Sequence, residues 1–193
     1  MILIIYCHPY SESFNYAELE AIKKNLDIAH QKYEVIDLYA DRFNPVYSIE
    51  ELKLYHQGKT TDPLVTKYLK LCRQARTVIF ITPIWWNSVP GMLKGFIDKV
   101  MKEGERLSHT VHKTGVKGEL TNIRHCYVLT TSSSPTFYIK YLNGNAIKRI
   151  FIKQTLKQLG FQDCHWQNLG LISSSSCKRR KNYLKKLSMQ KFR

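Results

Sequence analysis

Two short stretches carry residue types that chemistry can use. His8-Pro9-Tyr10-Ser11-Glu12-Ser13-Phe14-Asn15 follows an apolar run, Ile2 to Cys7, and leads into a helical pattern. A helix start exposes backbone N–H groups and a partial positive charge, so it is a ready anion site. His8, Ser13 and Asn15 add side-chain donors, which suits a phosphate without the glycine-rich fingerprint of a dinucleotide fold. The second stretch, Pro83-Ile84-Trp85-Trp86-Asn87-Ser88-Val89-Pro90, ends a β-branched run over 77–82 and passes at once into Gly91-Met92-Leu93. Proline stiffens both ends of that loop, and two adjacent indoles offer a wall for a flat, π-rich ligand.

Each stretch needs a strand before it and a helix after it, and the rest of the chain supplies that rhythm. Apolar runs predict strands over 2–7, 33–38, 77–82, 125–131 and 161–169. The first is apolar throughout, the mark of a strand covered on both faces. Helical spacing falls over 14–30, 48–56, 62–75, 91–102, 146–159 and 178–189. Ser48 with Glu51 makes a capping box, Asp62 with Pro63 a second helix start, and Gly160 a helix stop. In the 146–159 helix Ile147, Ile150, Phe151 and Leu159 are expected inward, and Lys148, Lys153 and Lys157 outward. Residues 104–119 and 132–143 read as loops, and Ser173 to Ser176 as a short linker. Strands alternating with helices predict βαβ units and a parallel sheet. In such sheets ligands sit at the carboxyl ends of the strands, where both stretches fall. An anion grip at one strand end and a planar slot at another together describe flavin mononucleotide.

Length and composition narrow the class. The 193 residues fit one domain, 1–193, and 44% hydrophobic content is ordinary for a globular chain. No apolar run approaches the roughly 20 residues of a membrane span, and the apolar start reads as a first strand rather than a secretory leader. Five scattered cysteines, with no Cys-x-x-Cys pair, argue against a disulfide framework or structural zinc and for a reducing, cytoplasmic setting. The net charge of +15 is uneven: residues 139–193 hold thirteen Lys or Arg against one acid, Asp163, and the first 138 residues carry only +3. That surplus reads first as a solvated face, and second as a field that steers phosphate-bearing cofactors. No nucleic-acid-reading signature accompanies it, so no nucleic-acid partner is expected. Gly58-Lys59-Thr60-Thr61 imitates the end of a phosphate loop, but Lys53 stands where its first glycine belongs. His109 and His112 lack a third ligand, so no metal site is expected. Cys7 reads as a buried small apolar residue, and Met92 and Leu93 as helix core.

The chain resembles the flavodoxin-like NAD(P)H:quinone oxidoreductases, a group that includes small bacterial NAD(P)H oxidoreductases and ancillary proteins of potassium-efflux systems. The resemblance rests on His8-Pro9 with Ser13-Phe14-Asn15, on Pro83-Ile84-Trp85-Trp86 with Val89-Pro90, and on Leu93-Lys94-Gly95-Phe96. Asp37-Leu38-Tyr39-Ala40 and Phe43-Asn44-Pro45-Val46 also look like the family's second-strand loop. The similarity runs to about residue 170, and it is the order and spacing of the motifs that makes it specific. It implies an α/β, flavodoxin-like fold: a five-stranded parallel sheet between helices on both faces. It implies that His8, Ser13, Phe14 and Asn15 hold a flavin phosphate and ribityl chain. It further implies that Pro83, Ile84, Trp85, Trp86 and Asn87 line the isoalloxazine, that Thr130, Thr131, Ser132 and Ser133 flank its other polar edge, and that Tyr138 acts as a catalytic hydrogen-bond donor. Two positions depart from the family pattern. Ser132-Ser133-Ser134-Pro135 replaces the usual paired glycines, and Asn143-Gly144-Asn145 replaces a histidine after the tyrosine, so no Tyr/His relay is carried over.

The implied activity is hydride transfer from NAD(P)H through the flavin to a small planar acceptor, a quinone or an azo or nitro aromatic. One slot serving two planar substrates in turn predicts ping-pong kinetics. FMN is expected above FAD because no adenosine-binding extension is evident. The resemblance also implies a homodimer in which residues 39–58 reach toward the partner's flavin. An alternative is a flavin-bound ancillary subunit whose basic carboxyl-terminal face docks on a membrane protein. An electron-carrier flavodoxin fits poorly, since such carriers present acidic surfaces.

Overall fold

The computed structural model describes residues 1–193. The strands are β1 (Ile2–Tyr6), β2 (Tyr33–Asp37), β3 (Thr77–Pro83), β4 (His109–His112), β5 (Gly115–Gly118), β6 (His125–Thr131) and β7 (Cys164–Leu169). Five of them form one parallel sheet in the order β2-β1-β3-β6-β7. The helices are α1 (Phe14–Ile28), α2 (Ile49–Leu54), α3 (Pro63–Gln74), α4 (Gly91–Val100) and α5 (Cys177–Leu187). Their starts follow from local chemistry. Ser13, Ser48, Asp62 and Ser176 each accept a first-turn backbone N–H through the side chain, and Pro63 occupies the first turn of α3.

Strand alternation divides the core in two. Ile2, Ile4, Tyr6, Ile79, Ile81, Tyr127 and Leu129 face Leu19, Ile22 and Leu26 of α1 and Leu187 of α5. Leu3, Ile5, Cys7, Val78, Phe80, Cys126 and Val128 face α3, α4 and the segment Ile147–Leu156. Cys7 is fully buried, and Leu93 lies in the core. The connection after β1 goes to one side, to β2, and the next strand lands on the other, so the carboxyl ends of β1 and β3 flank the sheet's switch point.

Four predicted segments differ in detail. Residues 104–119 contain the short antiparallel β4–β5 hairpin instead of remaining loop throughout. The last sheet strand begins at Cys164 rather than Phe161. The predicted 146–159 helix winds wide over Ile147–Leu156, with i→i−5 bonds such as Lys157 N–H to Ile152 O at 3.0 Å. The wider turn moves Ile152 inward and leaves Ile150 exposed, contrary to the 3.6-residue expectation, while Ile147, Phe151 and Leu159 stay buried. A second wide turn, Tyr138–Leu142, occupies part of the 132–143 loop.

The second-strand loop is fastened to α4. A Cβ on Gly95 would lie 2.3 Å from Pro45 Cβ, so only glycine lets the two segments meet there. Lys99 Nζ donates to Asn44 O at 2.7 Å and lies 3.3 Å from Asp62 Oδ2. The Phe43-Asn44-Pro45-Val46 and Leu93-Lys94-Gly95-Phe96 motifs are therefore two sides of one contact.

Candidate functional site

The anion loop leaves β1 through His8. The Tyr10 backbone N–H donates to His8 Nδ1 at 3.1 Å, so Nε2 carries the proton of the neutral ring. Burial pushes the His8 pKa below its ordinary value, which favours that neutral form. Its ring meets Trp85 edge to face at 6.0 Å. Ser13 Oγ accepts from Tyr16 N–H at 3.1 Å, so the hydroxyl caps α1. The Phe14 ring packs toward Tyr183 of α5 at 6.1 Å. Asn15 is buried: its Oδ1 accepts from Thr131 Oγ1 at 2.9 Å and its Nδ2 donates to Glu18 Oε2 at 2.8 Å. These side chains build and fasten the helix start. The groups left open are the backbone N–H donors of Phe14 and Asn15, which find no acceptor within the chain.

The aromatic loop is a tight hairpin. Ile84 N–H continues the sheet to Thr131 O at 2.8 Å, and Trp85 and Ser88 exchange two backbone bonds of 3.0 Å. Trp86 (φ 47°) and Asn87 (φ 64°) are both left-handed, the signature of a type I′ turn. Asparagine tolerates that region well; tryptophan does so only when the turn imposes it. The Trp86 side chain is 98% exposed and Trp85 41%. The Trp86 and Asn87 N–H groups also lack acceptors within the chain. Pro83, fully buried in sequence with β3, anchors the loop on the sheet.

The third wall follows β6. Thr130 Oγ1 donates to Asn168 Oδ1 at 2.8 Å and accepts from Trp166 Nε1 at 2.9 Å, so Thr130 binds β7 rather than facing the loops. Ser132 Oγ donates to Ser134 O at 2.9 Å, and Ser133 is exposed. A cleft of about 570 Å³ opens between the two loops. Ile84, Trp85, Trp86 and Asn87 line one side, and Ser132, Ser133 and Tyr138 line the other. Ile139 and Asn143 close its end, and no charged side chain enters it.

The structure thus gathers Ile84, Trp85, Trp86, Asn87, Ser132, Ser133 and Tyr138 around one cleft. His8, Ser13, Phe14 and Asn15 do not line that cleft; His8 meets its Trp85 wall, Asn15 bonds Thr131 beside Ser132, and Phe14 packs toward α5. Two positioning residues escaped sequence reasoning. Asn168 ties the loop together, since its amide bonds Thr130, Ser132 Oγ at 3.0 Å and Thr136 Oγ1 at 2.9 Å. Glu18 sits fully buried under Asn15. Asn168 carries no sequence signal because its partners lie on other elements; Glu18 bonds Asn15 one helical turn away, and nothing in the sequence marks that polar helix position as buried. Chemically, the arrangement offers helix-start donors for a phosphate on the same sheet edge as an uncharged aromatic slot rimmed by further backbone donors, which complements the phosphate and planar ring of a flavin mononucleotide.

Comparison with known proteins agrees with this fold. The family profile of the flavodoxin-like fold matches residues 1–188. NAD(P)H dehydrogenase (quinone) 1 of Cavia porcellus is 30% identical over 83% of this chain, which spans 64% of that protein and 55% of its Rattus norvegicus counterpart. An uncharacterized NAD(P)H oxidoreductase of Haemophilus influenzae is 26% identical over 93% of this chain and 88% of its own length. Among solved structures, Smu.1420 from Streptococcus mutans UA159 superposes with a TM-score of 0.82 at 31% identity, covering 97% of this chain and 96% of that one. No helix is long and apolar enough to cross a membrane. On its profile match, its 2-1-3 strand reversal and its loops at the switch point, the chain belongs to the flavodoxin-like fold family.

Proposed function

We propose that this chain is one flavodoxin-like domain acting as a flavin-dependent NAD(P)H oxidoreductase, which reduces a quinone, or an azo or nitro aromatic, in ping-pong turnover. One observation carries the reading: the unpartnered N–H groups at the start of α1, after β1, stand on the same sheet edge as an uncharged, indole-walled cleft between the loops after the next two strands, β3 and β6. The names of the Cavia and Haemophilus relatives support the same activity. Bound FMN would supply the two-electron chemistry. The chain's own groups do the rest. Phe14 and Asn15 N–H, with the positive end of α1, would take the phosphate. Trp86 and Asn87 N–H would meet the polar edge of the ring, and Ile84 and Trp85 would exclude water beside it. Tyr138, half-exposed across the cleft, donates its hydroxyl to the acceptor oxygen as charge develops there. The protein works in the cytoplasm as a homodimer. Exposed Val46, Ile49 and Leu52, beside a groove lined by Tyr47, Tyr55, Ile97 and Met101, form the apolar surface a second copy would cover.

The test is anaerobic. The purified protein should retain yellow FMN, bleach with NADH or NADPH, and recover with menadione. Replacing Trp86 by Ala should weaken FMN retention without unfolding the protein. Absence of flavin binding overturns the reading. Bound flavin that neither nucleotide reduces favours the ancillary subunit, with the basic face of α5 as its docking surface.

A further inference from the structure

Behind the anion site lies a carboxyl group that no part of the proposed chemistry uses. Glu18 is fully buried on α1, one turn below Asn15 and about 4.5 Å further along the helix axis. Its Oε2 accepts from Asn15 Nδ2 at 2.8 Å, while Oε1 has no hydrogen-bond partner. The Tyr183 hydroxyl of α5, likewise unpartnered, lies against it. No base neutralises the group. Arg179 and Lys186 line the outer groove beside Tyr183 but pair with nothing at Glu18. From β6 the contact is the neutral Thr131, through Asn15, and from β1 it is Tyr6, through Ser13. A buried carboxyl in such company favours its protonated form.

We propose that Glu18 is a proton-controlled positioning residue for the anion site: protonated, it holds Asn15 and leaves the field of the helix start to the ligand's phosphate, and ionised, it opposes that phosphate from one turn behind. The inference rests on the FMN reading and assigns a regulator to the same site. Burial raises the Glu18 pKa to about 8, against the lowering effect of the Asn15 and Tyr183 contacts. The proton is therefore exchanged near neutrality. Loss of the competent form multiplies apparent affinity by the remaining protonated fraction, a weakening of about tenfold between pH 7 and 9. The second ionisation of a phosphate monoester falls near pH 6, so the ligand's own charge is constant over that interval.

The experiment is fluorescence titration of flavin-free protein with FMN and, in parallel, with riboflavin, at pH 7, 8 and 9. The wild type should bind FMN about tenfold more weakly at pH 9 than at pH 7, while riboflavin, which lacks the phosphate, keeps its affinity. Glu18→Gln should bind FMN at pH 9 as the wild type does at pH 7. Tyr183→Phe, by removing a contact that favours the carboxylate, should move the midpoint to higher pH. FMN affinity that is level with pH in the wild type, or a riboflavin profile that falls in parallel, overturns the inference and leaves the FMN reading standing. Failure to bind FMN at any pH overturns both. If Glu18→Gln does not fold, the wild-type comparison of FMN with riboflavin decides the matter alone.

Discussion

Glu18 and Glu51 are both buried carboxyls, and their surroundings drive them in opposite directions. Burial raises both, but at Glu51 the Thr61 hydroxyl and N–H, the Thr60 hydroxyl and the Lys102 ammonium reverse it and hold the pKa down at about 2. Glu51 therefore contributes stability above its unfolded pKa of about 4.5, and that contribution disappears as pH falls toward 2. Glu18 has the reverse sign. The folded state keeps a proton the unfolded chain releases, so stability should fall as pH rises from about 4.5 to 8 and level off above. The slope from this one group is at most about 1.4 kcal/mol per pH unit. Urea unfolding at pH 5 to 8 should show it in the wild type and not in Glu18→Gln. Replacing Glu51 by Gln leaves the Lys102 ammonium, 1% exposed, without its counter-charge, and thermal unfolding should register a loss of about 3–5 kcal/mol. At this scale the sequence is least readable. Asn15 looks like a ligand donor in its motif, yet its amide is committed to Thr131, 116 residues away, and to a glutamate that reads in sequence as one more polar helix position.

Elements were more legible than side chains, and the exceptions have physical causes. Continuous apolar runs revealed β1 and β3, and Ser48 and Asp62 marked helix starts, because both signals act within a few residues. The β4–β5 hairpin escaped because its four-residue arms are largely exposed and bury no alternating face. The wide winding of Ile147–Leu156 escaped because the run Ile150-Phe151-Ile152 satisfies two different periods, and packing of Phe151 and Ile152 on the sheet chose between them. The aromatic loop was placed correctly as an element, while its type I′ geometry was not apparent from Trp86-Asn87. That geometry yields a prediction. Asn87→Gly should leave stability within about 0.5 kcal/mol, whereas Asn87→Val should cost about 1–2 kcal/mol, since a β-branched residue resists a φ of 64°. Denaturant midpoints of the two variants compare them directly.

Across the whole molecule, charge and topology act together. The sheet order was legible only as a class: alternating strands and helices announce a parallel sheet, but which strand crosses to the far side is decided by packing spread over the entire chain. The positive field concentrates in residues 139–193, whereas the cleft itself holds no charged side chain. Such a field governs arrival more than retention. Exchanging Lys178, Arg179 and Arg180 for Glu should slow FMN association several-fold at low ionic strength and leave dissociation nearly unchanged, as stopped-flow mixing would resolve; raising the salt should erase the difference. The turn that carries Trp86 has one more consequence. Of three indoles, Trp166 is half-buried and hydrogen-bonded, Trp85 rests against His8, and only Trp86 stands free in water. The chain therefore has an intrinsic optical reporter at the mouth of its cleft: iodide should quench the red-edge emission of the empty protein strongly, and a seated isoalloxazine should both darken and shield it.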